Sequence, residues 1–146
     1  MENTNVEIVL VEDNWYDAEM TIRALKKNNI VNSIIHLRNG AEALDFLFGT
    51  GQYESRDPNI KPKVVLLDLK MPKVSGMEVL RKLKSDNNTK TIPVVVLTSS
   101  KEDPDIKLCY ELGVNSYIVK PVGFENFTAS IAELGVYWLL LNQPLK

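Results

Sequence analysis

The chain has 146 residues, 45% of them hydrophobic, an ordinary makeup for one globular domain. A formal net charge of −2 leaves no electrostatic footprint for nucleic acid, and the one cysteine, Cys109, excludes an intramolecular disulfide and fits a reducing compartment. Met1 to Asn5 is polar and lacks the positive start of a secretory signal, and the longest apolar run, Leu134 to Leu141, falls far short of the ~20 residues a bilayer requires. The expectation is a soluble cytoplasmic protein with no nucleic-acid or membrane partner.

Glu7-Ile8-Val9-Leu10-Val11 predicts a strand that ends in acid, Glu12 and Asp13. Asn14 and the residues after it start a helix with Ala18, Thr21, Ile22 and Leu25 inward, closed by Lys26, Lys27 and Asn28-Asn29. Ser33 to Leu37 is a short strand, and Gly40-Ala41-Glu42 opens a second helix carrying Ala43, Leu44, Leu47 and Phe48. Gly49 to Pro62, interrupted by Gly49, Gly51, Pro58 and Pro62, reads as a loop of a length that is usually functional or mobile.

Val64-Val65-Leu66-Leu67 has the pattern of an interior parallel strand, apolar on both faces; it ends in Asp68, and Pro72 bars its extension. A helix follows from about Ser75 to Ser85, with Met77, Leu80 and Leu83 inward. Pro93 to Leu97 predicts a fourth strand ending in Thr98-Ser99-Ser100, then a helix from about Pro104 to Leu112 stops at Gly113. Ser116 to Val119 is the fifth strand, ending in Lys120-Pro121, and a last helix runs from about Phe124 towards Leu141. Five strands, each followed by a helix, imply one doubly wound α/β domain over residues 1–146, with a parallel sheet and helices on both faces. Periodicity does not choose between the two common strand orders.

Ligands of an open α/β sheet bind at the carboxyl ends of its strands. Here those ends carry Glu12 and Asp13, Asp68, Thr98 and Lys120. If the strands are neighbours, three carboxylates meet, and each pair at 4 Å repels by roughly 4 kcal/mol at an effective dielectric near 20. Such a cluster binds a cation, raises a pKa or destabilises the fold. Hard oxygens with room for water suit Mg²⁺, and Lys120 with Thr98 would face the anion that comes with it, an arrangement for phosphoryl chemistry.

In order and spacing, Glu12-Asp13, Asp68, Thr98 and Lys120-Pro121 resemble the receiver domain of a two-component response regulator, over nearly the whole chain. The resemblance implies a flavodoxin-like (βα)5 fold with strand order 2-1-3-4-5. It implies that Asp68 accepts a phosphoryl group from a sensor histidine kinase through Mg²⁺ (or Mn²⁺). On the same ground Asp13 and Asp68 are metal ligands, Glu12 holds the metal through its waters, and the Lys70 carbonyl completes the protein's share. Lys120 pairs with the phosphoryl oxygens, Thr98 hydrogen-bonds one of them, and Tyr117 is the aromatic switch that turns inward when Thr98 moves. The Lys120-Pro121 bond matches one that is often cis in the family. Val11-Glu12-Asp13-Asn14, the long loop before the central strand, Pro93 to Thr98 and Pro121-Val122-Gly123-Phe124-Glu125-Asn126-Phe127 are similar to the stand-alone regulators that partner bacterial and cyanobacterial phytochromes. Ser75 departs from the family's frequent Asp, and Lys70 and Ser100 occupy positions that tune phosphoryl lifetime.

His36, in the second strand and far from the other motifs, reads as structural, and Cys109 as core packing. Trp15-Tyr16 fits either a partner contact or a cover for the site's edge. The last helix has an inward stripe of Phe124, Phe127, Ile131, Leu134 and Trp138, yet Val136, Tyr137, Leu140 and Leu141 add apolar surface around its axis. Such a helix needs a second cover. Extra packing on the fourth helix would supply it; so would a homodimer through the fourth and fifth helices and last strand, burying Phe124, Phe127, Tyr137, Leu140 and Leu141. The function expected is a phosphorylation-driven switch acting by protein–protein contact, with no output domain and no catalytic turnover. A Mg²⁺-dependent aspartyl phosphohydrolase shares the chemistry but needs a second Asp where Lys70 stands; a nucleotide- or flavin-binding module lacks its glycine motif.

Overall fold

A strand apolar on both faces must be covered on both, and three strands here meet that description. In the computed structural model, which describes residues 7–27, 33–71, 74–99 and 102–120, β1 (Ile8–Val11), β3 (Val64–Leu67) and β4 (Val94–Thr98) are buried at every position. β2 (Ile34–Leu37), which includes His36, and β5 (Ser116–Val119), which includes Ser116 and Tyr117, are mostly half-buried. Side-chain polarity thus sorts centre from edge. The five strands form one parallel sheet in the order β2-β1-β3-β4-β5, the flavodoxin-like arrangement that the resemblance implied.

Alternation along each strand sends side chains to opposite faces. Val9, Val11, Val65, Leu67, Val94 and Val96 share one core with Phe46 and Leu47 of α2 (Gly40–Phe48), Val79, Leu80 and Leu83 of α3 (Gly76–Ser85) and Cys109 of α4 (Asp103–Leu112). Ile8, Leu10, Val64, Leu66, Val95 and Leu97 form the other with Ala18, Ala24 and Leu25 of α1 (Trp15–Lys27). The predicted inner faces are rotated slightly. Ala24 is buried where Ile22 is only partly covered, Phe46 is deeper than Leu44 or Phe48, and Val79 is deeper than Met77. Each partly covered residue flanks the stripe of its helix, where the twisted sheet falls away.

Local chemistry fixes the helix ends. Ser75 and Glu78 form a reciprocal capping box on α3, and Asn39 accepts the Glu42 N–H at the start of α2. Gly113 ends α4 at φ 104°, a left-handed conformation that favours glycine, as its place after Leu112 predicted.

The stretch from Gly49 to Pro62 is a loop, as expected, but one anchored to the body of the domain. A short 3₁₀ turn spans Gly51–Tyr53. The Arg56 guanidinium lies 4.0 Å over the Phe46 ring and donates to the carbonyls of Phe46 (2.7 Å) and Ile60 (2.6 Å), while Tyr53 meets the same ring edge-on. One arginine therefore pins the segment to α2. The last helix, the dimer residues Phe124, Phe127, Tyr137, Leu140 and Leu141, and also Pro72, Ser100 and Pro121, lie outside the described residues.

Candidate functional site

The sheet register brings the chemistry together. Val11 pairs with both Leu37 and Leu67, and Thr98 pairs with Val119, so neighbouring strands end side by side. The backbone continues this for one more residue. Glu12 N–H donates to Leu37 O, Asp68 N–H to Val11 O, and Lys120 N–H to Thr98 O at 2.7 Å.

Glu12, Asp13 and Asp68 each offer a carboxylate oxygen, and these oxygens all lie within 4.8 Å of one another. Asp13 is exposed, whereas Glu12 and Asp68 are 2% and 7% exposed. Burial pushes the Glu12 carboxyl up to about 7; the hydrogen bond from Lys120 opposes this, and the charge of Asp68 adds to it. The two Glu12 oxygens are engaged separately, Oε1 by Lys120 Nζ at 2.7 Å and Oε2 by the Asn14 N–H at 3.1 Å.

Lys120 also reaches Asp17 Oδ2 at 2.8 Å and stands 3.9 Å from Asp68 Oδ2. Burial works against its charged form, but hydrogen bonds to Asp17 and Glu12, with the charges of Glu12 and Asp68, outweigh that and raise its pKa. The ammonium is therefore held charged among three acids, Glu12, Asp17 and Asp68. Thr98 is fully buried at the end of β4, and Tyr117 of β5 packs half-buried against the core beneath α4. Lys70 is exposed, its N–H a long 3.5 Å from Asp68 Oδ1.

Of the residues expected at the rim, Glu12, Asp13, Asp68 and Lys120 are thus brought together. Three further residues join them. Asp17 lies in the first turn of α1, where an acid suits the helix N-terminus and draws no notice; its tie to Lys120 spans 103 positions. His36, expected far away, sets Nε2 2.7 Å from the Glu12 carbonyl oxygen, because β2 adjoins β1. Gly76 packs so closely under the central strand that a Cβ there would stand 1.9 Å from the Asp68 carbonyl oxygen. Glycine before a helix was the available signal; the close approach was not.

Hard carboxylate oxygens at this spacing, with Asp13 exposed to water, fit a divalent ion such as Mg²⁺ or Mn²⁺. An adjacent ammonium fits the anionic group such an ion would accompany.

Comparison with known proteins agrees with this geometry. Residues 8–132 match the response regulator receiver domain family. A probable methanogenesis regulatory protein, FilR2 of Methanothrix harundinacea, is 40% identical over 93% of this chain and 85% of its own length. Response regulator Rcp1 of Synechocystis is 38% identical over 90% of this chain and 88% of its own; its Mn²⁺-bound crystal structure superposes with a TM-score of 0.89 at 35% identity, covering 97% and 99% of the two chains. The phosphorylated cyanobacterial phytochrome response regulator RcpA gives the same TM-score at 34% identity, covering 98% and 100%. With its family matched over most of its length and the strand-end acids and lysine assembled at one rim of the sheet, the chain belongs to the response regulator receiver domain family.

Proposed function

We propose that residues 1–146 act as one response regulator receiver domain in which Asp68 accepts a phosphoryl group from the phosphohistidine of a sensor kinase. The observation that carries the reading is the meeting of Asp68, Asp13 and Glu12 within 4.8 Å, with the Lys120 ammonium alongside.

The residues divide the work. An Asp68 carboxylate oxygen forms the new bond to phosphorus as the phosphorus–nitrogen bond breaks, and the electron pair leaves with the imidazole. Asp13 and Asp68 would hold the divalent ion directly, Glu12 through water, and the Lys70 carbonyl would complete the shell. Held there, a divalent ion would supply neutralisation of charge on the phosphoryl oxygens. Lys120 then pairs with a phosphoryl oxygen, and the Thr98 hydroxyl donates to another. Tyr117, already against the core, reports the Thr98 position to the β4–β5 edge. Output is a change in protein–protein contact rather than turnover of a substrate, and a homodimer through the fourth and fifth helices and last strand is the surface proposed to change.

A phytochrome-type kinase is the partner favoured by the likeness to Rcp1 and RcpA. The likeness to FilR2 keeps other kinases in play, and phosphotransfer profiling against the host's sensor kinases separates them.

Acetyl phosphate with Mg²⁺ should label the chain once, with the hydroxylamine-sensitive bond of an acyl phosphate, and Asp68→Asn should remove the label. Repeated turnover of phosphate esters would instead favour a hydrolase.

A further inference from the structure

We infer that Asp17 is a positioning residue that holds Lys120 off the phosphoacceptor in the resting protein. This rests on the reading of Asp68 as the phosphoacceptor and adds the element that the phosphoryl group must displace.

The argument starts from how an ammonium spends its three donors. Lys120 directs two of them to Glu12 Oε1 at 2.7 Å and Asp17 Oδ2 at 2.8 Å, both good charge-assisted hydrogen bonds. Asp68 Oδ2, at 3.9 Å, lies beyond hydrogen-bond range. The ammonium is thus nearest to α1 and to the end of β1, not to the residue it is to serve. The lysine side chain is 12% exposed and that of Asp17 is 29% exposed, so water weakens the pair without dissolving it.

Asp17 is built for the task by its own anchors. Asn14 Oδ1 accepts the Asp17 N–H at 3.0 Å, and Thr21 Oγ1 donates to the Asp17 carbonyl at 2.8 Å. Both contacts use the backbone, so the carboxylate is free to pair while the first turn of α1 stays formed. A phosphoryl group on Asp68 competes with Asp17 for the same ammonium. Its arrival transfers Lys120 from an α1 contact to a β3 contact, linking the chemical event to the start of α1, beside the exposed Trp15 and Tyr16.

The test is titration calorimetry with beryllofluoride, a phosphoryl analogue, at saturating Mg²⁺. Asp17→Asn should bind it about two- to tenfold more tightly than the wild type, the range expected for releasing one partly screened, charge-assisted contact. Asp17→Glu should return the affinity to within about twofold of wild type. Glu19→Gln removes one negative charge from the same helix without touching Lys120 and should leave it unchanged. Unchanged or weaker binding by Asp17→Asn, or equal tightening by Glu19→Gln, would overturn the inference while leaving the proposed function standing. No binding by the wild type, or binding that survives Asp68→Asn, would end the proposed function and the inference together.

Discussion

Two lysines at opposite ends of the sheet show how differently its rims are built. Lys84, at the end of α3, donates to the carbonyls of Lys90 (3.0 Å) and Ile92 (2.7 Å), and burial lowers its pKa. Lys120, after β5, is buried too, yet its pKa is raised because carboxylates surround it. Carbonyl dipoles bind an ammonium without offsetting its lost hydration; full charges do. The lower end therefore uses a lysine as a staple between α3 and the loop before β4. The upper end keeps a charge in reserve, where a small change in occupancy redirects it.

The comparison breaks most sharply at the two glycines flanking it. Gly76→Ala would set a Cβ 1.9 Å from the Asp68 carbonyl oxygen and 2.7 Å from Leu69 Cα. Urea denaturation should show a loss of about 3 kcal/mol, the upper end for overpacking, together with loss of phosphorylation. Gly113→Ala meets nothing closer than 3.6 Å, at Lys84 Cδ, and suffers only its left-handed φ of 104°; it should lose about 1 kcal/mol and keep phosphorylation.

Next come the lysines themselves. Lys120→Met leaves Glu12, Asp17 and Asp68 without their cation and should lower stability at pH 8 by about 2–3 kcal/mol, largely restored by Mg²⁺. A variant as stable as wild type without metal would contradict the electrostatic account. Lys84→Met removes only hydrogen bonds to two carbonyls and should cost about 1 kcal/mol, with no response to Mg²⁺.

A pH series sharpens the contrast. In the folded, metal-free protein Glu12 keeps its proton up to about 7, against 4.5 for an ordinary glutamate. A group raised in this way adds stability that is fully present below the lower value and is lost as pH rises towards the higher one. In EDTA the urea midpoint should therefore fall between pH 4.5 and 7 relative to Glu12→Gln. The stability lost over this interval should reach at most about 3 kcal/mol, at about 1.4 kcal/mol per pKa unit. Saturating Mg²⁺, which favours the carboxylate, should flatten or reverse the slope; an identical profile with and without Mg²⁺ would argue against Glu12 at the metal.

The site residues were legible one strand at a time because each follows an apolar run directly: Glu12 after Val11, Asp68 after Leu67, Thr98 after Leu97, Lys120 after Val119. That pattern is local and survives without coordinates. Asp17, His36 and Gly76 were hidden for the opposite reason. An acid in a first helical turn, a histidine in an edge strand and a glycine at a helix start each have an ordinary local explanation, and their partners are distant in sequence. The anchoring of the loop from Gly49 to Pro62 was hidden in the same way, since only the position of the Phe46 ring makes Arg56 an anchor.

By itself the sequence determined the alternation of strands and helices, the burial of the three central strands and the acids at the ends of two of them. These follow from hydrophobic patterning and turn chemistry, which act over a few residues. Periodicity left the strand order open and only the resemblance implied it; tertiary structure alone decided that Lys120 is shared between Glu12 and Asp17 rather than resting on Asp68. An ammonium goes where charge and distance favour it most, and that balance exists only once β1, β3 and β5 share a sheet.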